Sequence, residues 1–181
     1  MKFLRWLVLP CIFVLGLYVG ESRAQKEQQA LVDSKVPHQV AIICQDVEKS
    51  AKEWAALFGV ETPKWSITQS LDEANTRYRG KPTEGRAKLA FIHLDNISIE
   101  LIEPVGSSST WREHLDEQGE SAHHLAFRIK DLEAHIQRFE KAGMPLIQRG
   151  QWTTGKGGRY AYMDSYKQLG LSLELIESGL K

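Results

Sequence analysis

ISIELIEP, residues 97–104, sets an acidic side chain in the middle of an apolar run that has the length of a strand. Alternation assigns Ile97, Ile99 and Leu101 to one face and Ser98, Glu100 and Ile102 to the other. An ionised glutamate on a buried face is costly unless water, a partner or a metal satisfies it. The chain then does the same thing again. LSLELIES, residues 171–178, places Glu174 where Glu100 stood.

The repeat extends beyond these two strands. HQVAIICQDVEKSAKEW begins at His38 and HHLAFRIKDLEAHIQRF at His123, and the two align without a gap. They share the leading His, an Ala and an Asp-apolar-Glu. Val40, Ile42 and Cys44 match Leu125, Phe127 and Ile129 as the outer apolar positions. Internal self-similarity of this length means two copies of one supersecondary unit.

Each copy reads as a strand followed by a helix. Asp46 and Asp131 are N-cap residues, with Glu48 and Glu133 in the first turn where the helix dipole favours them. Val47, Ala51, Trp54 and Phe58 form one apolar stripe, and Leu132, Ile136 and Phe139 the other. Gly59 and Gly143 stand at the C-termini. KLAFIHL (88–94) and ISIELIE complete the first copy, with KWSIT (64–68) as a short extra strand. RYAYMD (159–164) and LSLELIE complete the second, with PLIQRGQW (145–152) as the counterpart.

The expected fold is therefore α+β: two tandem βαβββ modules, about 37–104 and 122–178, forming one sheet-lined cavity within a single domain, 37–178. One sheet face is aliphatic and packs under the helices. The other carries Gln39, Ala41 and Ile43; His124, Ala126 and Arg128; Ser98 and Glu100; Ser172 and Glu174. The glutamate recurs because each half contributes two polar groups to a shared cavity. His38 stands one position before Gln39 and is expected to face the helices. His123 is expected to be structural or exposed, and WREHLDEQGE (111–120) a solvated helix between the halves.

The amino terminus has a different character. Lys2 and Arg5 precede an apolar core at 6–20, and Ser22-Arg23-Ala24 offers small residues for cleavage. This is the layout of a secretory signal peptide over 1–24, with an uncleaved anchor as the alternative. The expected location is secreted or periplasmic, with no membrane contact beyond that segment, and 25–36 is a flexible lead-in. Formal net charge is +0, and no basic stripe with interleaved aromatics points to nucleic acid. Cys44 is the one cysteine beyond the leader, so no internal disulfide can form there.

The segments at 99–135 and 155–178, in this order and spacing, resemble the vicinal oxygen chelate superfamily, and within it the methylmalonyl-CoA epimerase-like branch. That superfamily includes glyoxalase I, extradiol dioxygenases and bleomycin-resistance proteins. The resemblance implies a glyoxalase-like fold and one divalent metal ion held by Gln39, Glu100, His124 and Glu174. Gln39 replaces the more common His, and the resulting set is similar to that of some glyoxalase I enzymes. Zinc, cobalt, nickel, manganese and magnesium all suit such donors.

The implied chemistry is lyase or isomerase chemistry. The metal holds two neighbouring substrate oxygens and stabilises the enediolate formed when a proton leaves the carbon beside a carbonyl. Glu174 is the expected base, Glu84 a second catalytic candidate, and Arg128 is positioned to pair with Glu174 or hold an anionic substrate. The partner is a small oxygenated molecule, and a homodimer is compatible with the fold. The competing reading is a non-catalytic module that sequesters a small molecule, as bleomycin-resistance proteins do. A ring-cleaving dioxygenase calls for two His and one carboxylate, which Gln39 does not supply.

Overall fold

The computed structural model describes residues 30–106 and 108–179; the expected leader lies outside them. The first module runs β1 (Gln39–Ile43), α1 (Val47–Phe58), β2 (Ser66–Ile67), α2 (Leu71–Ala74), β3 (Arg77–Tyr78), β4 (Lys81–Pro82), β5 (Arg86–His93) and β6 (Ser98–Val105). A connecting helix, α3 (Thr110–Gln118), leads into β7 (Ser121–Arg128), α4 (Leu132–Lys141), β8 (Leu146–Trp152), β9 (Gly158–Met163), α5 (Tyr166–Leu169) and β10 (Ser172–Ser178).

The strands form one ten-stranded sheet in the order β2-β5-β6-β1-β7-β10-β9-β8-β3-β4. β1 pairs parallel with β6 and β7 parallel with β10, and the modules meet through antiparallel β1 and β7. The four strands expected to carry the site are thus consecutive at the centre of the sheet. Register places Ala41 beside Glu100, and Ala126 beside both Gln39 and Glu174. Small residues alternate with the polar ones, leaving room for their side chains.

Local signals form the helices as expected. Asp46 accepts from the Glu48 and Lys49 amides, and Asp131 from Ala134. Gly59 and Gly143 take φ values of +64° and +80°, the left-handed region that glycine enters without a steric penalty. α1 covers Cys44, Leu101 and Ile92, and α4 covers Met163 and Leu175, giving each module a core on the outer sheet face. A third cluster, with Ala41, Ile43, Ile102, Trp111 and Tyr162, lies on the inner face under α3.

Three expectations change. KWSIT supplies a strand of only two residues, while the segment after it crosses to the other module, where Arg77 and Tyr78 pair with Arg149 and Gln148 of β8. α3 is not simply a solvated helix, because Thr110, Trp111 and His114 are buried. The described part of the lead-in is held in place: Leu31 and Val32 pack against the α4 core, and Asp33 bridges Arg138 and His135, each at 3.1 Å. Among the described residues no helix is long and apolar enough to cross a membrane.

Candidate metal centre and cavity

Gln39, Glu100, His124 and Glu174 come together from four adjacent strands, and all four are at least nine-tenths buried. His124 Nε2 lies 3.1 Å from Glu174 Oε2 and 3.4 Å from Glu100 Oε2. Gln39 Nε2 donates to Glu100 Oε2 at 2.5 Å and reaches Glu174 Oε2 at 3.5 Å. One ligand atom from each of Glu100, His124 and Glu174 fits within 4.8 Å of the others.

The close approaches to His124 Nε2 lack hydrogen-bond geometry, and the atom is buried without a hydrogen-bond partner. Two buried carboxylates around an orphaned imidazole nitrogen require positive charge to offset their desolvation. Burial lowers the proton affinity of His124, but Glu174 and then Glu100 more than reverse this and lift its pKa to about 9. Burial also raises Glu100, and the charge on Glu174 adds to the effect. These groups could hold a cation, and Gln39 offers a neutral amide whose oxygen can complete the donor set.

Gln39, Glu100 and Glu174 line a cavity of about 630 Å³, and His124 is buried beside the two carboxylates. Its walls include Leu89, Phe91, Trp111, Tyr160, Tyr162 and Ile176. Trp111 closes one end and donates its indole N–H to the Tyr162 hydroxyl at 3.2 Å. Burial pushes the Tyr160 hydroxyl up to about 12, and Tyr162 well above the usual tyrosine range, so both remain protonated.

The remaining expected site residues divide. Arg128 lines the cavity, yet it contacts Ser178 Oγ at 2.9 Å and His38 Nε2 at 2.8 Å rather than Glu174. His38 faces the cavity, not the helices, and burial with the neighbouring guanidinium lowers its pKa. Glu84 stands exposed on the loop before β5 and is not part of the cavity lining, so the structure does not bring it to Glu174. Sequence reading missed Trp111, which was hidden in a charged run. The Tyr160-x-Tyr162 spacing was readable, since period two puts both rings on one face of β9.

A model of the Glyoxalase/Bleomycin resistance protein/Dioxygenase superfamily matches residues 38–162. The chain belongs to that superfamily. An ethylmalonyl-CoA/methylmalonyl-CoA epimerase of Cereibacter sphaeroides is 27% identical over 121 residues, covering 66% of this chain and 80% of that protein. YqjC of Bacillus subtilis, an uncharacterised protein, is 28% identical over 94 residues, 52% of this chain and 67% of its own length. Among solved structures, methylmalonyl-CoA epimerase from Mycobacterium tuberculosis superposes with a TM-score of 0.56 at 21% identity, covering 83% of this chain and 94% of that one. The fold is the two-module α+β one that the repeat predicted and the glyoxalase-like one that the resemblance implied.

Proposed function

We propose that the protein is a divalent-metal-dependent isomerase or lyase that removes a proton from the carbon beside a carbonyl in a small anionic substrate. The observation carrying this reading is His124 Nε2, buried without a hydrogen-bond partner beside Glu100 and Glu174, the two carboxylates that line the cavity. Gln39, Glu100, His124 and Glu174 would hold the ion. Once bound, it would supply Lewis-acid stabilisation of the charge that develops on a substrate oxygen. Glu174, which lines the cavity, would take the proton. The aromatic walls exclude water, which strengthens these electrostatic effects.

Among the described residues Arg128 is the one lysine or arginine in the lining, and it would hold the anionic part of the substrate. The epimerase relatives support the reaction class. The basic start, apolar core and small-residue end of residues 1–24 support an exported enzyme.

The test starts with the metal content of residues 25–181, compared with a Glu100→Ala, Glu174→Ala double variant. It is followed by deuterium incorporation from heavy water into candidate 2-oxo acids and thioesters. A near-stoichiometric divalent ion that is lost in the variant, together with metal-dependent exchange, supports the proposal. Tight ligand binding with no exchange for any candidate favours a sequestering module instead.

A further inference from the structure

His123 and His124 are neighbours in one strand, so regular alternation would point their rings to opposite faces. The β1–β7 register prevents this. Ala41 stands opposite His124 and Ile42 opposite Ala122, which leaves His123 as an extra residue in β7. Such a bulge re-aims side chains locally, and bulges are concentrated beside active sites. Here the two imidazoles meet edge to face, with ring centroids 5.1 Å apart and the two Nδ1 atoms 2.9 Å apart.

Two ring nitrogens at that distance share one proton, and the surroundings decide which ring carries it. His123 Nε2 lies 3.2 Å from Thr110 Oγ1, a hydroxyl that can accept the hydrogen of this nitrogen. With its hydrogen there, His123 offers a bare Nδ1 to His124. An ion held at His124 Nε2 would use the lone pair of that nitrogen and leave the ring hydrogen on Nδ1, where His123 Nδ1 is 2.9 Å away to accept it.

We propose that His123 is a positioning residue that fixes His124 in the Nδ1–H tautomer and aims its Nε2 at the metal centre. Metal-binding histidines commonly donate the second ring N–H to a carboxylate, carbonyl or water, and that bond sets ring orientation and ligand strength. In this chain a second imidazole takes that place, anchored through Thr110 to the first turn of α3. The inference rests on the proposed metal reading, and the experiment separates the two.

Zinc affinity is measured by competition with a chelating dye for the wild type, His123→Leu and His123→Gln. The imidazole protons of the zinc-loaded proteins are followed by long-range proton–nitrogen NMR. Wild-type protein should bind one zinc and show a slowly exchanging His124 Nδ1–H. His123→Leu should bind zinc roughly 10–100-fold more weakly and lose that slow proton, whereas His123→Gln, which retains an acceptor oxygen, should recover part of both. If His123→Leu does not fold, His123→Gln carries the test, because exchanging a ring nitrogen for an amide oxygen must move the His124 Nδ1–H resonance. Failure of the wild type to bind zinc or any other divalent ion overturns the metal reading and this inference with it. Normal wild-type binding with an unchanged His124 proton in the folded variants overturns the inference alone.

Discussion

The Gln39 amide donates Nε2–H to Glu100 Oε2, so in the metal-free arrangement it gives the buried carboxylate a partial positive charge where a cation would sit. Holding a metal would require the same side chain to turn its oxygen inward. Gln39 is thus the weakest of the four candidate ligands, and three protein donors could still make a working site. Gln39→Ala should retain the ion with roughly 10–100-fold weaker affinity, whereas His124→Ala should abolish stoichiometric binding. Isothermal titration of both variants with the same divalent ion checks the ranking.

The metal-free protein should lose stability as pH rises. His124 is lifted from the ordinary 6.5 to about 9 in the fold. The folded state therefore keeps a proton that the unfolded chain releases. The stabilisation is fully present below pH 6.5 and is lost as pH climbs through 9, with a limiting slope of about 1.4 kcal/mol per pH unit for one proton. The raised pKa of Glu100 acts with the same sign, beginning at lower pH. Melting temperatures of chelator-treated protein should fall between pH 6.5 and 9, and His124→Gln should flatten the decline over that window.

Arg128 contacts a neutral serine and an imidazole, and among the described residues no carboxylate within ion-pairing distance neutralises it. For any anionic substrate found by deuterium exchange, Arg128→Ala should raise KM about 10–100-fold and leave kcat within roughly threefold. A lost charge-assisted hydrogen bond of about 1.5–3 kcal/mol corresponds to that range. Steady-state kinetics of Arg128→Ala and Arg128→Lys check it, and an unchanged KM removes Arg128 from substrate binding.

Gly150 in β8 lets the Tyr160 ring approach the backbone. A Cβ there would stand 2.5 Å from the Tyr160 hydroxyl and 2.7 Å from Cζ. The Tyr160 ring is also packed against Trp111 and Tyr162, with centroids 6.4 and 5.5 Å away, so it has little freedom to yield. Gly150→Ala should cost about 1–3 kcal/mol through overpacking, lowering the melting temperature by roughly 2–10 °C. Thermal unfolding followed by circular dichroism measures this.

Deleting residues 25–36 should also destabilise the domain. Leu31 and Val32 cover part of the α4 core, and removing them exposes apolar surface worth about 1–3 kcal/mol. An equal melting temperature for 25–181 and 37–181 would show that this contact contributes nothing to stability.

Much of the fold could be read because the chain repeats itself. Asp46 and Asp131, the two apolar stripes and the paired ELIE strands are local signals, and each controls only its own few residues. Period two alone placed Gln39, Glu100, His124 and Glu174 on one face. It misplaced His38, which stands just ahead of β1, outside the stretch where strand alternation holds. It also separated His123 from His124, since only the register of β7 against β1 reveals the extra residue. Glu84 rested on the family resemblance alone and had no periodic support.

The sequence by itself determined the two modules, their capped helices and the side of each strand that carries polar groups, because backbone periodicity and capping act between residues close along the chain. Only the tertiary structure decided that α3 turns Trp111 into the cavity, that Arg77 and Tyr78 pair with the far module, and that the His123 and His124 rings touch. Each of these depends on contacts between segments distant in sequence, whose geometry is set when the sheet curls and its register locks, and no local pattern encodes that step.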